Sequence, residues 1–296
     1  MKLEFRGRQL PPLSELRGAG TLRRLGKRLA GRQLRRAQRE LLYARPQRVD
    51  GPAGCYWYHT MDLPGLGTVW GEWDLRGRFD DYTGHLALRG KRVLDVGTAS
   101  GFLTFEAEAR GAEVVSLDMD HARRWAYLPF AGNPAWTDPA GFARERQRWY
   151  RQLQRGYWLA HRRFRSRARV YYGDVYSVPT GLGMFDVVIV GALLEHLSDP
   201  VRALAVLARR SSRMLVITNY VRPDAEPLAA FVGRSDQPWQ QTTWWSLSLP
   251  LYREVLGMLG FYIRSVSEQT YPWLRDGPRQ PPVQQSMHTI VADRPG

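Results

Sequence analysis

Two carboxylates and a glycine turn are the first residues in this chain with chemistry to do. The stretch V-L-D-V-G-T-A-S-G-F over 93–102 puts Asp95 two residues before Gly97 and leads past Ser100 and Gly101 toward a second acid, Asp118. Glycines let a backbone come close to a ligand, and carboxylates accept hydrogen bonds from hydroxyls and favour positive charge. A dinucleotide loop needs G-x-G-x-x-G, so that the pyrophosphate can approach the second and third glycines. Counted from Gly97, those positions hold Ala99 and Phe102. No G-K-[ST] follows either, which excludes a phosphate-cradling P-loop. Further along, Glu195-His196 and the W-Y-H-T stretch around His59 supply the two histidines most suited to moving a proton.

These residues need a frame. Residues 91–96 form a short apolar run that ends at Gly97, as in a buried parallel strand. Residues 101–110 carry Phe102, Leu103, Phe105, Ala107 and Ala109, which suits a helix packed on a sheet and stopped by Gly111. A second strand, A-E-V-V-S-L-D, then ends at Asp118. This is a strand-loop-helix-strand unit with an acid about 20 residues past the loop, the placement of a nucleoside-type site. The ligand that fits has an adenosine, no phosphate and a positive end. S-adenosylmethionine (SAM) has these properties, with Asp95 favouring its cationic end and Asp118 accepting from its ribose hydroxyls. A generic Rossmann-like unit with another ligand is the alternative.

The stretch resembles motif I of class I SAM-dependent methyltransferases, and the resemblance continues over roughly 90–293. A-R-V-Y-Y-G-D-V-Y-S-V-P (168–179) is similar to the family's third strand and the acid after it. That implies Asp174 at the adenine amino group and Val175 beside the ring. M-F-D-V-V-I-V-G-A-L-L-E-H-L-S-D-P (184–200) is similar to the fourth strand and its loop, R-M-L-V-I-T-N (213–219) to the fifth strand, 252–261 to the following helix and 288–293 to the last strand. The resemblance also assigns Met119 and Gly191 to the cofactor site. The fold it implies is α/β, Rossmann-like: a seven-stranded, mostly parallel sheet with helices on both faces and one antiparallel strand near the C-terminus. A basic helical N-terminal extension precedes it.

Upstream, C-Y-W-Y-H-T-M-D-L-P-G-L-G-T-V-W-G-E-W-D-L-R-G-R-F (55–79) lies where many methyltransferases carry a lid. Together with motif I and 156–179 it resembles the tRNA wobble-uridine carboxymethoxy/methoxy methyltransferase-like group. The resemblance implies that Trp73 and Arg76 approach the methionine carboxylate, as arginine's bidentate fork suits. One departure matters. The carboxymethyl-transferring branch has a tyrosine before the loop histidine, and this chain has Glu195. A glutamate would repel the extra carboxylate of carboxy-SAM, so ordinary SAM and a plain methyl are expected.

Net charge is +15 over 296 residues, with 43 Lys/Arg against 28 Asp/Glu. Residues 1–50 and 121–170 each carry +10, so the remainder is acidic. Only three of the basic residues are lysine, which dilutes any argument from charge to nucleic acid. Within 14–44, Leu22, Leu25, Leu29, Leu41 and Leu42 alternate with arginines as on a basic amphipathic helix. It could pack on its own domain, touch RNA phosphates or lie on an anionic membrane. One cysteine, Cys55, excludes an internal disulfide framework and fits a reducing compartment. No apolar run is long enough for a transmembrane span, and no signal-peptide core is seen, so a cytoplasmic location is expected.

The expected organisation is a basic extension over 1–50, a lid over 51–90 and a SAM-binding domain over 91–296. An arginine-rich insert (121–165) and an acceptor cap (220–250) lie within that domain. Trp239, Trp244 and Trp245 in the cap, beside a neutral Gln/Thr run, could form a platform for a sugar ring or a base. His196, after the fourth strand, and His59 are the candidate bases for a hydroxyl acceptor. Glu195, His196 and Asp199 lack the second cluster that a metal centre would need, so no metal is expected. The expected activity is methyl transfer from SAM to a hydroxyl of a sugar, glycan or secondary metabolite. A tRNA-modifying methyltransferase is the alternative, and a binding protein that has lost catalysis the third reading.

Overall fold

The structure, a computed structural model, describes residues 4–5, 8–9, 40–120, 131, 134–237, 242–275 and 277–295. The chain divides into two compact units, Met1–Leu42 and Tyr43–Gly296. In the first, strands β1 (Glu4–Phe5) and β2 (Arg8–Gln9) pair antiparallel. The expected amphipathic helix lies almost wholly outside the described residues. The second unit starts at Tyr43, and Ala44 N–H donates to the Val170 carbonyl at 2.8 Å.

The second unit opens with a small hairpin, β3 (Met61–Leu63) and β4 (Gly67–Val69), and a one-turn helix, α1 (Phe79–Tyr82). Then β5 (Arg92–Val96), α2 (Phe102–Ala109) and β6 (Glu113–Asp118) build the unit read from the sequence. After them come α3 (Pro134–Thr137), the long α4 (Pro139–Arg163), β7 (Arg169–Tyr172), β8 (Phe185–Gly191), α5 (Pro200–Ala208) and β9 (Ser211–Asn219). Three short strands, β10 (Val221–Arg222), β11 (Ala229–Phe231) and β12 (Trp245–Ser248), form a separate small sheet in the cap. Helix α6 (Leu249–Met258) and the hairpin of β13 (Tyr262–Trp273) and β14 (Val283–Asp293) complete the chain.

The main sheet has seven strands in the order β13-β14-β9-β8-β5-β6-β7. β5 to β9 are parallel, and β14 runs antiparallel to both of its neighbours, β9 and β13. This is the Rossmann-like, seven-stranded, mostly parallel sheet expected from the sequence. The central strands read as continuous apolar runs because both faces are covered: Val187, Val188, Ile189, Val190, Leu215, Val216 and Ile217 are all fully buried. From β5 the chain winds one way through β6 and β7, then returns to β8 and β9 on the other side. Right-handed crossovers therefore put α2 and α4 on one face and α5 and α6 on the other. The reversal opens a crevice beyond the carboxyl ends of β5 and β8, where ligands bind in such sheets.

Most of the arginine-rich insert is α4, 25 residues long. Asp138 caps it by accepting from Gly141 N–H at 2.9 Å, Pro139 starts it, and His161, Arg162 and Arg163 occupy the last turn, where cations suit the helix dipole. Tyr157, Trp158 and Leu159 bury against Phe102, Phe105, Val93 and Val170. Residues 121–130 of the insert lie outside the described set.

Candidate active site

The loop after β5 is tied to the end of β6 and to the segment around His59. Gly97 and Thr98 N–H both donate to the Leu117 carbonyl at the end of β6. Gly97, Ala99 and Gly101 all stand at positive φ, 76°, 50° and 94°. At Gly101 a side chain would collide with Phe105 and Tyr157. Ser100 Oγ accepts from the backbone N–H of His59 at 3.0 Å, so the segment containing His59 lies directly on the loop.

Asp95 is fully buried on β5. Thr104 Oγ1 donates to its Oδ2 at 2.6 Å, and that hydroxyl also lies 2.9 Å from Thr98 Oγ1 and 2.7 Å from Ser116 Oγ. Ser116 in turn meets Tyr157 Oη at 2.8 Å. Burial raises the Asp95 carboxyl, and Oδ1 has no partner among the described residues. Asp118 closes β6. Its Oδ2 accepts from Ala99 N–H at 2.7 Å and its Oδ1 from Met119 N–H at 2.6 Å, tying the glycine loop to the strand end. Each oxygen keeps a lone pair for a hydroxyl. Burial pushes this carboxyl up to about 6 against the pull of those two amides. Gln154 of α4 donates to the Met119 carbonyl at 3.1 Å and so fixes that turn. Asp174 follows β7 and caps a short turn by accepting from Tyr176 N–H at 2.9 Å, with Val175 next in line.

Gly191 ends β8, and a Cβ there would come within 2.7 Å of Tyr82 Oη, so only glycine lets that tyrosine in. The following loop carries Glu195 and His196. His196 Nδ1 is bonded to the Thr242 carbonyl. A carbonyl only accepts, so Nδ1 carries the hydrogen and the neutral ring keeps its lone pair on Nε2. Glu195 is buried at 3% exposure, with Oε1 3.8 Å from His196 Nε2 and Oε2 without a hydrogen-bond partner among the described residues. Burial raises its carboxyl, opposed by His196 and the Asn219 amide. Glu72 reaches the same place from the segment before α1. It accepts from Tyr56 Oη, burial raises it, and His196 pulls it down.

Several expected site residues sit differently from the sequence reading. His59 is buried against Tyr58 and Phe102, and burial drives its ring down to about 3. Such a ring resists protonation, and the bond that joins this residue to the glycine loop runs from its backbone N–H to Ser100. Arg76 does not present a free fork. Its Nε and Nη2 donate to Asp74 and its Nη1 to Asp62, at 2.7–2.9 Å. Trp73 stacks on Trp273 at 6.1 Å and is 8% exposed. Trp244 is no open platform: it is 4% exposed and lies parallel to Phe231. Trp245 is half-buried and donates through Nε1 to the Ser198 carbonyl at 3.3 Å. Trp239 lies outside the described residues. The sequence reading passed over Glu72, Tyr58, Tyr82, Asn219 and Tyr220, which lie around Glu195 and His196, and Tyr56, which donates to Glu72. The aromatic run at 56–59 was the available signal, but only its histidine was singled out. Among the described residues, no three His, Cys, Asp or Glu side chains are grouped to hold a metal ion.

No known family matches the chain by sequence, and no curated protein does. Among solved structures, the magnesium protoporphyrin IX methyltransferase of Synechocystis PCC 6803, with bound S-adenosylhomocysteine (SAH), is similar at 15% identity and a TM-score of 0.47. That match covers 75% of this chain and 82% of the other. A SAM-dependent methyltransferase from Mesorhizobium loti gives 15% identity and 0.47, over 74% and 100%. The 1,6-didemethyltoxoflavin N1-methyltransferase of Burkholderia thailandensis gives 17% and 0.45, over 75% and 78%. Likenesses this distant say nothing of reaction or acceptor.

Proposed function

We propose that this chain is a SAM-dependent methyltransferase that places a methyl group on a hydroxyl of a sugar, glycan or secondary metabolite. The observation that carries the cofactor reading is Asp118. Half-buried at the tip of β6, it holds the glycine loop through Ala99 and Met119 and keeps lone pairs for a ribose diol. Ala99 and Phe102 stand where a pyrophosphate would need glycine. The partnerless Asp95 Oδ1 supports a ligand with a positive end. Asp95, Gly97, Ser100, Gly101, Asp118, Met119, Asp174, Val175 and Gly191 would hold it. Trp73 belongs to the lid wall. Arg76 would reach a methionine carboxylate only by giving up Asp62 or Asp74.

SAM supplies a methyl already activated on a sulfonium, so the protein's share is positioning, exclusion of water and removal of a proton. His196 is the base of this reading. Thr242 fixes its tautomer, leaving Nε2 to take the acceptor's hydroxyl proton. Calorimetry with SAH and with NAD tests the cofactor: SAH binds and NAD does not. Labelled SAM, incubated with glycan and metabolite pools and separately with total tRNA, tests the acceptor.

The tRNA-modifying alternative has one observation in its favour. Arg144, Arg148, Arg151 and Arg155 are all exposed on α4. At about 100° per residue they fall in a stripe some 60° wide and ~17 Å long. No carboxylate pairs with them among the described residues, and Arg144, Arg148 and Arg151 line a groove of about 310 Å³ with Gln147 and Gln152. Phosphate contacts of that kind would give an affinity that falls steeply with salt. The same stripe would also suit an anionic membrane surface, although no described helix is long and apolar enough to cross one.

A further inference from the structure

Helix α4 ends at an arginine-lined bowl that methyl transfer does not use. Pro64, Arg162, Arg163, Phe164 and Arg165 enclose an open cavity of about 560 Å³. The helix leads into β7, so its last turn lies near the amino end of that strand. The crevice lies beyond the carboxyl ends of β5 and β8, which run parallel to β7 through β6. The bowl is therefore toward the opposite end of the sheet. Gln154, which fixes the turn after β6, precedes Arg162 by ~12 Å of helix. The tip of the β3–β4 hairpin borders the bowl, because Arg163 Nη1 lies 3.4 Å from where a Cβ on Gly65 would stand.

The helix end accounts for only part of this charge. Its dipole places about half a negative charge there, against three guanidiniums. Its carbonyls are already met by backbone: Phe164 N–H donates to the Ala160 carbonyl, Arg165 N–H to that of Arg162 and Ser166 N–H to that of His161, at 2.9, 3.1 and 2.9 Å. Arg162 gives Nη1 to Asp50 at 3.0 Å. Arg163 and Arg165 have no carboxylate partner among the described residues, and Arg163 Nε is buried with no hydrogen-bond acceptor. A buried donor of that kind is costly while it stays unmet.

Arg165 adds a second observation. The bonds from Arg165 and Ser166 form a Schellman motif, whose left-handed position favours glycine. Here that position holds an arginine, at φ 52°. An L-residue is less stable there than glycine, so the backbone gives no reason for an arginine. The side chain does, because it lines the bowl.

We propose that this bowl is a phosphate-binding site. Guanidinium forks suit phosphate oxygens, and three of them converge here within four residues. A single carboxylate would fill one fork and leave the others unmet. The cavity is wider than the ion. Phe164 packs on Phe105 at 5.2 Å between ring centres yet remains 37% exposed, and with Pro64 it offers an apolar wall to the organic part of an ester. Two sources carry this chemistry, the free ion and the backbone of an RNA strand.

The test is binding to the full chain at neutral pH and low salt, by calorimetry with inorganic phosphate and by fluorescence anisotropy with a short labelled oligouridylate. Arg163→Gln should weaken binding about tenfold or more, the range of a lost charge-assisted hydrogen bond. Arg165→Gly should weaken it too while raising the midpoint of urea unfolding, since glycine suits the left-handed position. A merely structural arginine would not move those two readouts in opposite directions. Arg209→Gln combined with Arg253→Gln removes two exposed charges from elsewhere on the protein and should leave phosphate affinity nearly unchanged. Oligouridylate bound more tightly than phosphate, with the same dependence on Arg163 and Arg165, assigns the site to an RNA backbone. Phosphate bound as tightly or more so assigns it to the free ion. Binding of neither overturns the proposal, and so does an affinity that survives both Arg163→Gln and Arg165→Gly. A phosphate affinity that falls as far in the Arg209/Arg253 variant overturns it as well, because only the diffuse field of a basic protein would then be at work. None of these measurements involves SAM, so their failure would leave the cofactor reading untouched.

Discussion

Replacing Gly101 with alanine should damage the protein more than the same change at Gly97, although both glycines belong to one loop. Gly101 stands at φ 94°, and a Cβ built there lies 2.5 Å from Phe105 Cε2, 2.8 Å from Phe105 Cζ and 2.8 Å from Tyr157 Cδ2. Neither ring has room to retreat. Phe105 packs against Tyr157, His161 and Phe164, and Tyr157 is tied through its hydroxyl to Ser116. The left-handed conformation costs an alanine ~1–2 kcal/mol, and overpacking a filled core adds ~1–3 kcal/mol. Gly101→Ala should therefore lose about 2–5 kcal/mol of stability. Gly97 stands at φ 76°, but the nearest atom to its Cβ is Leu193 Cδ1 at 3.4 Å, the movable tip of a leucine. Gly97→Ala should lose only the backbone share, ~1–2 kcal/mol. Urea unfolding of the two variants, read as midpoint shifts at equal slope, separates them. If Gly97→Ala proves as unstable as Gly101→Ala, the packing of α2 against α4 behind the loop is not what fixes the glycine.

Other outcomes follow from single residues. The Asp118 carboxyl, raised to about 6 from an unfolded value of ~3.9, contributes stability below about pH 4 that is lost as pH rises through 6. A ribose that needs the carboxylate should bind better over the same interval. Between about pH 5 and 7, stability should thus fall while SAH affinity rises, and Asp118→Asn should flatten both; an SAH affinity independent of pH would count against the role. His196→Gln should lower turnover by ~100-fold or more without changing SAH affinity, whereas His59→Phe should leave turnover near that of the parent; the reverse order would exchange their roles. If tRNA is the acceptor, changing Arg144, Arg148, Arg151 and Arg155 to glutamine should reduce the salt slope of binding by about 0.7–0.9 for each phosphate that is no longer neutralised.

The sheet was legible in the sequence where period and punctuation agreed. Arg92–Val96 and Glu113–Asp118 are apolar runs closed by glycine and by an acid, and both fall within a residue of where the pattern puts them. Helix α4 was harder to read. Its buried side is made of Tyr150, Leu153, Tyr157 and Trp158 among arginines, and the charge masked the period. The crevice was half legible. Glu195-His196 shows as a pair because the two are adjacent in sequence. Glu72 reaches them only because its segment is held by backbone bonds between Thr60 and Trp73 and between Leu274 and Glu72. No local pattern reports a meeting of residues so far apart in the chain. Arg76 is a similar case: Asp74 is close in sequence, but its other partner, Asp62, is not.

The place of β14 bears on how this chain is made. β14 comes after every other described strand in chain order, yet it lies between β9 and β13 and pairs with both. Until residues 283–293 have been synthesised, the edge of β9 stays open, with Leu215, Val216 and Ile217 beside it. An open, apolar edge is a template for pairing with another chain. A nascent chain paused before residue 283, or one truncated there, would carry the strands that frame the crevice and an unsealed sheet. Such species should go to aggregates and proteolysis rather than to a smaller folded protein.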